Sequence, residues 1–380
     1  MFFIITTIVG LAASLITIKT LVGYTQMKWW WKLIISLFVL FCWFGHSVLS
    51  YCRHHGILPL PYYTVFAYLV YFGLAFGFVL FALILVRDVT WFSCYGIAKI
   101  IKSGYVENLN PFNVFYLNVA NIVIVIMAIF LTVCGGYEAL KFPQIKEIVI
   151  RDDKIKSPLK MVMLSDLHVN RIMPVARINN LVENVNKLNP DVVVITGDVV
   201  DEAPNVIEKQ MEALSKLNSK YGTYIVFGNH DFYSGMLPWL KSFPSYGLNP
   251  LFNNGMSIGD NIYLAGIPDK SIEKMSNLVK IDLSKALSGN KDSLYTVLLS
   301  HTPKFSDEAV RGFDLQLSGH THGGQIFPFH FLVKSANKYL AGMYQEDGYK
   351  VYVSRGTGYW GPPVRLFAPS EITVINFEGK

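Results

Sequence analysis

Four long apolar stretches with almost no charge lie before Leu140, and they constrain the fold of this chain more than any other feature. A helix needs about 20 apolar residues to cross a bilayer. We therefore predict an N-terminal α-helical membrane domain, residues 1–138, with four spans: Met1–Ile18, Leu33–Ser50, Tyr62–Val86 and Phe112–Cys134. The shorter run Val89–Ile101 carries Lys99 and is predicted to lie at the membrane interface.

Charge is concentrated after this region. Seven Lys or Arg and three acidic residues precede position 141, whereas 26 basic and 24 acidic residues follow. The net charge of +6 is too small and too dispersed to indicate nucleic-acid binding. All four cysteines precede residue 135, so the C-terminal part has no disulfide framework and no cysteine-based zinc site. Counting the basic residues of alternate loops leaves the sidedness of the membrane domain open.

Residues 139–158 are charged and contain two prolines, and we predict a linker with one short strand, Glu147–Ile150. From residue 159 to 380 strands first alternate with amphipathic helices and then follow one another, a pattern that indicates a layered α/β sandwich. The predicted helices are Pro174–Asn189 and Val206–Leu217. The predicted strands are Leu159–Leu164, Asp191–Thr196, Thr223–Phe227, Asn261–Ala265, Leu294–Leu299, Phe313–Leu317, Lys350–Val353 and Glu371–Asn376.

Five polar motifs each follow a predicted strand directly. They are Asp166-Leu167-His168, Gly197-Asp198, Gly228-Asn229-His230-Asp231, His301 and Gly319-His320-Thr321-His322. Ligands of open α/β sheets bind at the carboxyl ends of the strands, so we expect these motifs to converge at the edge of one sheet. Residues two apart in an extended segment point the same way, which would let both side chains of each Asp-x-His or His-x-His pair face one site.

The residue types in these motifs are those of a metal centre. Five of the six histidines after residue 140 lie in the motifs, and only His330 does not. Aspartate, histidine and asparagine ligands without thiolate allow manganese, iron or zinc. Each motif alone could be an ordinary turn or an exposed loop, but their order and their position after strands favour a site.

The ordered set of motifs resembles the calcineurin-like metallophosphoesterase superfamily over residues 159–377. Further segments resemble its membrane-associated bacterial branch: Leu315–Ser318, Gly323–Gln325, Val353–Gly358 and Pro363–Arg365. The resemblance implies a β-sandwich flanked by helices that hydrolyses phosphoesters with two divalent ions, for which it favours manganese.

The resemblance also implies roles for individual residues. Asp166, His168 and His322 would hold the first metal, Asn229, His301 and His320 the second, and Asp198 would bridge both. His230 would contact the phosphate and protonate the leaving group, and Asp231 could orient His230. Arg355 and Arg365 are candidate substrate contacts, with surface salt bridges as the alternative interpretation.

Four spans would keep the enzyme at a two-dimensional substrate, so a lipid phosphate or lipid diphosphate is the favoured substrate class. Met236–Phe252 and Ile326–Leu332 are apolar segments that could accept acyl chains or rest on the bilayer, or pack ordinarily on the sandwich. The plan of the chain is similar to one kind of UDP-2,3-diacylglucosamine diphosphatase of lipid A biosynthesis, which forms lipid X and UMP. That resemblance implies a multi-pass protein of the bacterial inner membrane with a cytoplasmic catalytic domain.

Two other interpretations remain open from the sequence. One is an exported phosphodiesterase or phosphatase that acts on cell-wall or phospholipid phosphates. The other is a non-catalytic membrane sensor that retains a metal-binding domain. The complete ligand set and the presence of His230, which metal binding alone does not require, argue against the sensor.

Overall fold

Apolar helices form the first of two units in the computed structural model, which describes residues 2–275, 280–291, 293–304 and 312–380. This unit comprises Met1–Leu140 and Gly361–Leu366. Its helices are α1 (Phe2–Ile18, continued by a π-helical turn, Lys19–Gly23), α2 (Trp29–His55), α3 (Leu60–Ile100) and α4 (Val114–Leu140). A polar link joins three of them, because Asn121 accepts a hydrogen bond from Arg87 and donates one to the carbonyl of Thr20.

Three of these helices, α2, α3 and α4, are long and apolar enough to cross a membrane. The apolar stretch described at the N-terminus, Thr7–Gly23, is shorter, and Met1 lies outside the described residues, so the fourth span stays a prediction. The interfacial position of Val89–Ile101 stays a prediction, and no break separates this run from the third predicted span. Those residues continue α3, whose 41 residues extend over roughly 60 Å.

The second unit comprises Lys141–Trp360 and Phe367–Lys380. Its strands are β1 (Gln144–Arg151), β2 (Leu159–Leu164), β3 (Val192–Ile195), β4 (Thr223–Ile225), β5 (Leu248–Pro250), β6 (Asn254–Ile258), β7 (Ile262–Ile267), β8 (Tyr295–Ser300), β9 (Leu315–Ser318), β10 (Gly342–Glu346), β11 (Tyr349–Val353) and β12 (Glu371–Glu378). Its helices are α5 (Val175–Lys187), α6 (Glu208–Leu214), α7 (Asn229–Tyr233), α8 (Met236–Ser242), α9 (Ser271–Met275), α10 (Leu283–Leu287) and α11 (His330–Asn337).

These strands form two mixed six-stranded sheets, in the orders β1-β12-β2-β3-β4-β5 and β10-β11-β9-β8-β7-β6. In the first sheet β2 to β5 are parallel, and β12 is antiparallel to β2. In the second sheet β7, β8, β9 and β11 are parallel, and antiparallel strands close both edges. The layered α/β sandwich predicted from the alternating pattern is therefore confirmed.

Strand β3 shows why the layers form. Its four residues are completely buried, as the continuous β-branched run predicts. Val192 and Val194 join the core between the two sheets, whereas Val193 and Ile195 join the core beneath the helices of the first sheet. A third core covers the outer face of the second sheet and includes α10.

The segment expected to be a linker belongs to the sandwich. Strand β1 pairs in parallel with β12 along its whole length, so the second unit begins at Lys141 and not at residue 159. The sequence pattern also missed β5, β6 and β10, because short and partly exposed edge strands have weak hydrophobic periodicity.

Candidate metal centre

The five polar motifs lie at the carboxyl ends of strands from both sheets. Three of them follow β2, β3 and β4 of the first sheet, and two follow β8 and β9 of the second. The expectation of a single sheet edge was therefore wrong, although the side chains do converge. Within the described residues, donor atoms lie within 4.8 Å of one another in three groups: Asp166, His168 and His322; Asp198, His301 and His320; and His168, Asp198 and His230.

Left-handed backbone, not extended backbone, turns these side chains towards each other. Five of the predicted ligands have positive φ, with values of 53° for Asp166, 50° for His168, 51° for Asp198, 69° for His320 and 49° for His322. Such conformations cost about 1–3 kcal/mol each in non-glycine residues, and they concentrate at functional sites. The extended-segment argument for the Asp-x-His and His-x-His pairs was thus wrong in its geometry.

The first donor group surrounds Asp166. His322 Nε2 lies 3.1 Å from His168 Nε2 and 3.4 Å from Asp166 Oδ1. Donor atoms about this far apart match two ligands on one ion with bonds of about 2.1 Å. The Asp166 carboxylate is completely buried and accepts hydrogen bonds from the Ser165 hydroxyl and the His320 backbone N–H. Those bonds hold the carboxylate in place beside the two rings.

The second donor group surrounds Asp198. Its Oδ2 lies 3.2 Å from His301 Nε2, and His301 Nε2 lies 3.2 Å from His320 Nδ1. The other ring nitrogen of His301, Nδ1, donates to the carbonyl of Thr196 at 2.8 Å, so Nε2 is the nitrogen available to a cation. Asp198 Oδ2 is also 3.6 Å from His168 Nε2. This carboxylate therefore lies between the two donor groups, where a bridging ligand would be.

The side-chain oxygen of Asn229 gives an independent test of whether the residues fit a metal. Asn229 Oδ1 is buried, and it has no hydrogen-bond partner among the described residues. A buried acceptor without a partner is costly, and coordination by a cation would satisfy it. Together with the facing imidazole nitrogens, this oxygen shows that the donor set fits divalent metal ions.

His230 is oriented by Asp201, a residue that the sequence interpretation missed. Its Nδ1 lies 2.8 Å from Asp201 Oδ1, and the same oxygen lies 2.8 Å from Nδ1 of His168. The available signal was an acid three residues after Asp198 in the same strand-end loop.

The Asp231 carboxylate binds backbone N–H groups, which differs from its expected role of orienting His230. It is completely buried and accepts backbone N–H groups from Val199, Val200 and Gly228 at 2.8–3.0 Å. The expectation that Asp231 orients His230 is therefore corrected, because its oxygens bind the loops that carry Asp198 and Asn229. Burial and the neighbouring Asp198 raise the pKa of Asp231 to about 7.

The electrostatic field of the site is set by its carboxylates. Burial lowers the pKa of His168, but Asp201, Asp198 and Asp166 outweigh burial and raise it to about 9. Burial also lowers the pKa of His301. The nearby carboxylates, above all Asp198, outweigh burial and hold this pKa well above its usual range. A field that retains protons on buried imidazoles also attracts divalent cations, which bind the same nitrogens after the protons leave.

The two candidate substrate arginines lie in different units. Arg355 donates to Glu371 at 3.1 Å, the salt bridge of the alternative interpretation, and its side chain packs beside Gly323, which follows His322. Arg365 belongs to the first unit, is 1% exposed, and donates its backbone N–H to the carbonyl of Gly135 in α4. Their roles as substrate contacts stay predictions.

An aromatic rim around His230 was not expected from the sequence. The rings of Tyr233 and Trp360 lie 5.6 Å and 6.0 Å from the His230 ring, and both are exposed. The Gln325 side chain fixes Trp360 by accepting its backbone N–H and donating to its carbonyl. Gln325 thereby connects the loop after His322 to Trp360, the last residue of Lys141–Trp360 in the second unit.

Comparison with known proteins agrees with this geometry. The sequence profile of the calcineurin-like phosphoesterase family matches residues 159–324, which include every predicted metal ligand. An uncharacterized metallophosphoesterase of Campylobacter jejuni is 31% identical over 382 residues, covering 100% of this chain and 98% of that protein. This chain belongs to the calcineurin-like metallophosphoesterase family. Its catalytic unit is thus that of a metal-dependent phosphoester hydrolase.

Two further relatives match a little less than two thirds of this chain. An uncharacterized metallophosphoesterase of Helicobacter pylori is 41% identical over 244 residues, which is 63% of this chain and 65% of that protein. A transmembrane protein with a metallophosphoesterase domain from Danio rerio is 34% identical over 260 residues, covering 64% of this chain and 60% of that protein. A metallophosphoesterase domain in a transmembrane protein therefore occurs in an animal relative as well.

Proposed function

We propose that this metallophosphoesterase binds two divalent ions and hydrolyses a lipid-linked diphosphate at a membrane. The observation that supports the proposal most is the position of Asp198 Oδ2, 3.6 Å from His168 Nε2 and 3.2 Å from His301 Nε2. A carboxylate between two imidazole groups is suited to bridge a pair of cations, which would neutralise the phosphate and acidify water. Manganese is the proposed metal, and iron and zinc suit the same donors.

The protein's own proton donor is His230. Because Asp201 holds the Nδ1 side of the ring, Nε2 is the nitrogen that can deliver a proton to the leaving oxygen. This pairing supports catalysis over a metal-dependent sensor, because holding a metal does not require an oriented imidazole beside it. The exposed rings of Tyr233 and Trp360 border the same histidine and would contact the leaving group.

The membrane helices support a substrate that lies in the bilayer. Attachment through α2, α3 and α4 raises the concentration of the site relative to a lipid substrate. The specific substrate we propose is UDP-2,3-diacylglucosamine, whose hydrolysis yields lipid X and UMP. A UDP-linked substrate is cytosolic, so this proposal puts the catalytic unit on the cytoplasmic side of a bacterial inner membrane.

The test uses the purified full chain in detergent, stripped with a chelator and reloaded with Mn²⁺. We expect chelation to abolish hydrolysis of both bis-p-nitrophenyl phosphate and UDP-2,3-diacylglucosamine, and Mn²⁺ to restore both. Asp198→Ala should remain inactive, whereas Asp260→Ala, which changes an exposed turn residue, should retain activity. Activity that survives chelation and Asp198→Ala would reject the metal mechanism. Strong turnover of the soluble diester with none of the lipid would reject the substrate.

The side of the membrane on which the second unit lies distinguishes the proposed function from an exported enzyme. The second unit contains no cysteine, so Asp260→Cys introduces a reporter there. In intact spheroplasts a membrane-impermeant maleimide should label this variant no more than the unchanged chain, whose four native cysteines set the background. Labelling above that background would favour an exported phosphodiesterase or phosphatase acting on cell-wall or phospholipid phosphates.

A further inference from the structure

Exposed phenylalanines of the second unit are concentrated in two segments that meet. Phe327, Phe329 and Phe331 are 40%, 41% and 68% exposed, and Phe367 is 71% exposed. The ring of Phe327 lies 5.9 Å from that of Phe331 and 5.8 Å from that of Phe367. The other phenylalanines that the structure describes in this unit are buried or half-buried. We call Phe327, Phe329, Phe331, Leu332 and Phe367 the aromatic cluster.

The backbone of the aromatic cluster shows that its exposure is built into the fold. Phe367 has a φ of +62°, a left-handed conformation that bulky residues rarely adopt. Leu332, at the start of α11, is 65% exposed. Exposing large apolar side chains to water is unfavourable. A strained residue whose aromatic ring is nevertheless exposed therefore indicates an apolar partner.

The segments that carry the aromatic cluster contain basic but no acidic residues. Residues 315–345 and 359–370 contain no Asp or Glu. Lys334 is exposed in α11, three residues after Phe331 and therefore on the neighbouring helix surface. Phenylalanine and leucine beside lysine are typical of segments that lie in the plane of the membrane interface, where anionic lipids attract the cation.

We propose that the aromatic cluster enters the interfacial layer of the lipid bilayer to which the chain is anchored. A bilayer is the apolar partner that the membrane-crossing helices keep at high local concentration. The cluster begins five residues after the predicted ligand His322, so its insertion would bring the metal centre close to lipid phosphates. The inference concerns the surface alone and does not depend on which phosphoester is cleaved.

Depth measurements on the full chain in nanodiscs of phosphatidylcholine and phosphatidylglycerol test this proposal. In a background with the four native cysteines replaced by alanine, a spin label is attached at Phe331→Cys, at Phe367→Cys, and at Asp260→Cys as the exposed control. We expect labels at 331 and 367 to collide with oxygen more than with a water-soluble nickel chelate, and the label at 260 to do the reverse. Chelate-accessible labels at both cluster positions would overturn the proposal.

A kinetic measurement with the native cysteines in place makes the test independent of that background. The double variant Phe331→Ser/Phe367→Ser should lose turnover of a lipid phosphoester in nanodiscs, by about tenfold for each apolar side chain withdrawn from the bilayer. Its turnover of bis-p-nitrophenyl phosphate should stay unchanged. Unchanged lipid turnover would count against the proposal. A wild-type chain that fails on the soluble diester would contradict the proposed function instead, and the spin labels, which need no substrate, would still decide this inference.

Discussion

Asp201 Oδ1 lies 2.8 Å from His230 Nδ1, and the same oxygen lies 2.8 Å from His168 Nδ1. One carboxylate therefore orients the proposed proton donor and a proposed metal ligand. Because both rings face it through Nδ1, their Nε2 atoms are left for the substrate and the cation. The position of the proposed proton donor His230 and that of the proposed metal ligand His168 thus depend on the same side chain.

Asp201→Asn should lower both metal affinity and turnover, each by roughly 10–100-fold, because carboxylates that orient metal-binding histidines have effects of this size. Metal affinity is measured by Mn²⁺ titration of the stripped protein, and kcat at saturating Mn²⁺. Adding His230→Ala to Asp201→Asn should cost less than His230→Ala costs in the wild type, since the two residues act as a unit. Additive losses would contradict the coupling, and Asp260→Asn serves as the matched control.

Asp231→Ala should destabilise the catalytic unit. The substitution leaves the backbone N–H groups of Val199, Val200 and Gly228 without their acceptor, and each unsatisfied buried group costs about 1–3 kcal/mol. We expect the melting temperature of the full chain in detergent, followed by fluorescence, to fall by several degrees relative to Asp260→Ala. An unchanged melting temperature would show that other groups satisfy these amides.

Parts of this site follow from sequence alone because the residue types are strongly constrained. The buried strand β3 is recognisable from its β-branched run, and the glycine, aspartate and histidine motifs after the strands identify the donor set. Asp201 was not identifiable in this way. It reaches two histidines through the loop after β3, and Asp231, which is adjacent to His230 in sequence, binds backbone instead. His230 and Asp231 lie in α7, and adjacent residues of a helix do not face each other, so sequence adjacency is a poor guide there.

The distribution of the motifs between two sheets was also beyond the sequence pattern. Strands β8 and β9 look like continuations of one α/β sheet, because each is a short buried run followed by a polar motif. In the structure β8 pairs with β7, and β9 pairs with β11, so both strands belong to the second sheet. The hydrophobic periodicity of a single strand does not indicate which sheet the strand joins. Strand β1 was read as part of a linker for a similar reason, since its partner β12 lies more than 200 residues later in the chain.

Metal loading should depend on pH, because buried imidazoles of the stripped protein hold protons. Burial lowers the pKa of His168, but nearby carboxylates raise it to about 9. A cation must displace this proton, so the apparent Mn²⁺ affinity should rise as the pH increases towards 9. Titration of weakly buffered, stripped protein with Mn²⁺ should therefore release protons near neutral pH, as read by an indicator dye. Binding without proton release would contradict this prediction.

Gly358→Ala should disturb the first donor group without replacing any ligand side chain. A Cβ at this position would lie 2.5 Å from the Asp166 carbonyl oxygen and 2.8 Å from the Leu167 carbonyl carbon. The loop after β2 would have to move, so we expect Mn²⁺ affinity to fall by roughly tenfold or more. Gly96→Ala, where the added Cβ would meet open space beside its own helix, is the control. Equal affinities in the two variants would show that this loop yields without displacing Asp166.

Asn229→Leu should separate stability from metal binding. The Oδ1 atom of Asn229 is buried without a hydrogen-bond partner in the described part of the chain, and an apolar side chain of similar size removes that unsatisfied acceptor. We expect the stripped variant to melt at the same temperature as the stripped wild type or higher, yet to bind less Mn²⁺, because a proposed ligand of the second ion is gone. Metal content by atomic emission and thermal unfolding of the same samples check both parts. Full metal content in the variant would remove Asn229 from the ligand set. A lower melting temperature with full metal content would show that Asn229 stabilises the fold and does not bind the metal. The expected result is the opposite, because functional sites often retain groups without which the protein would be more stable.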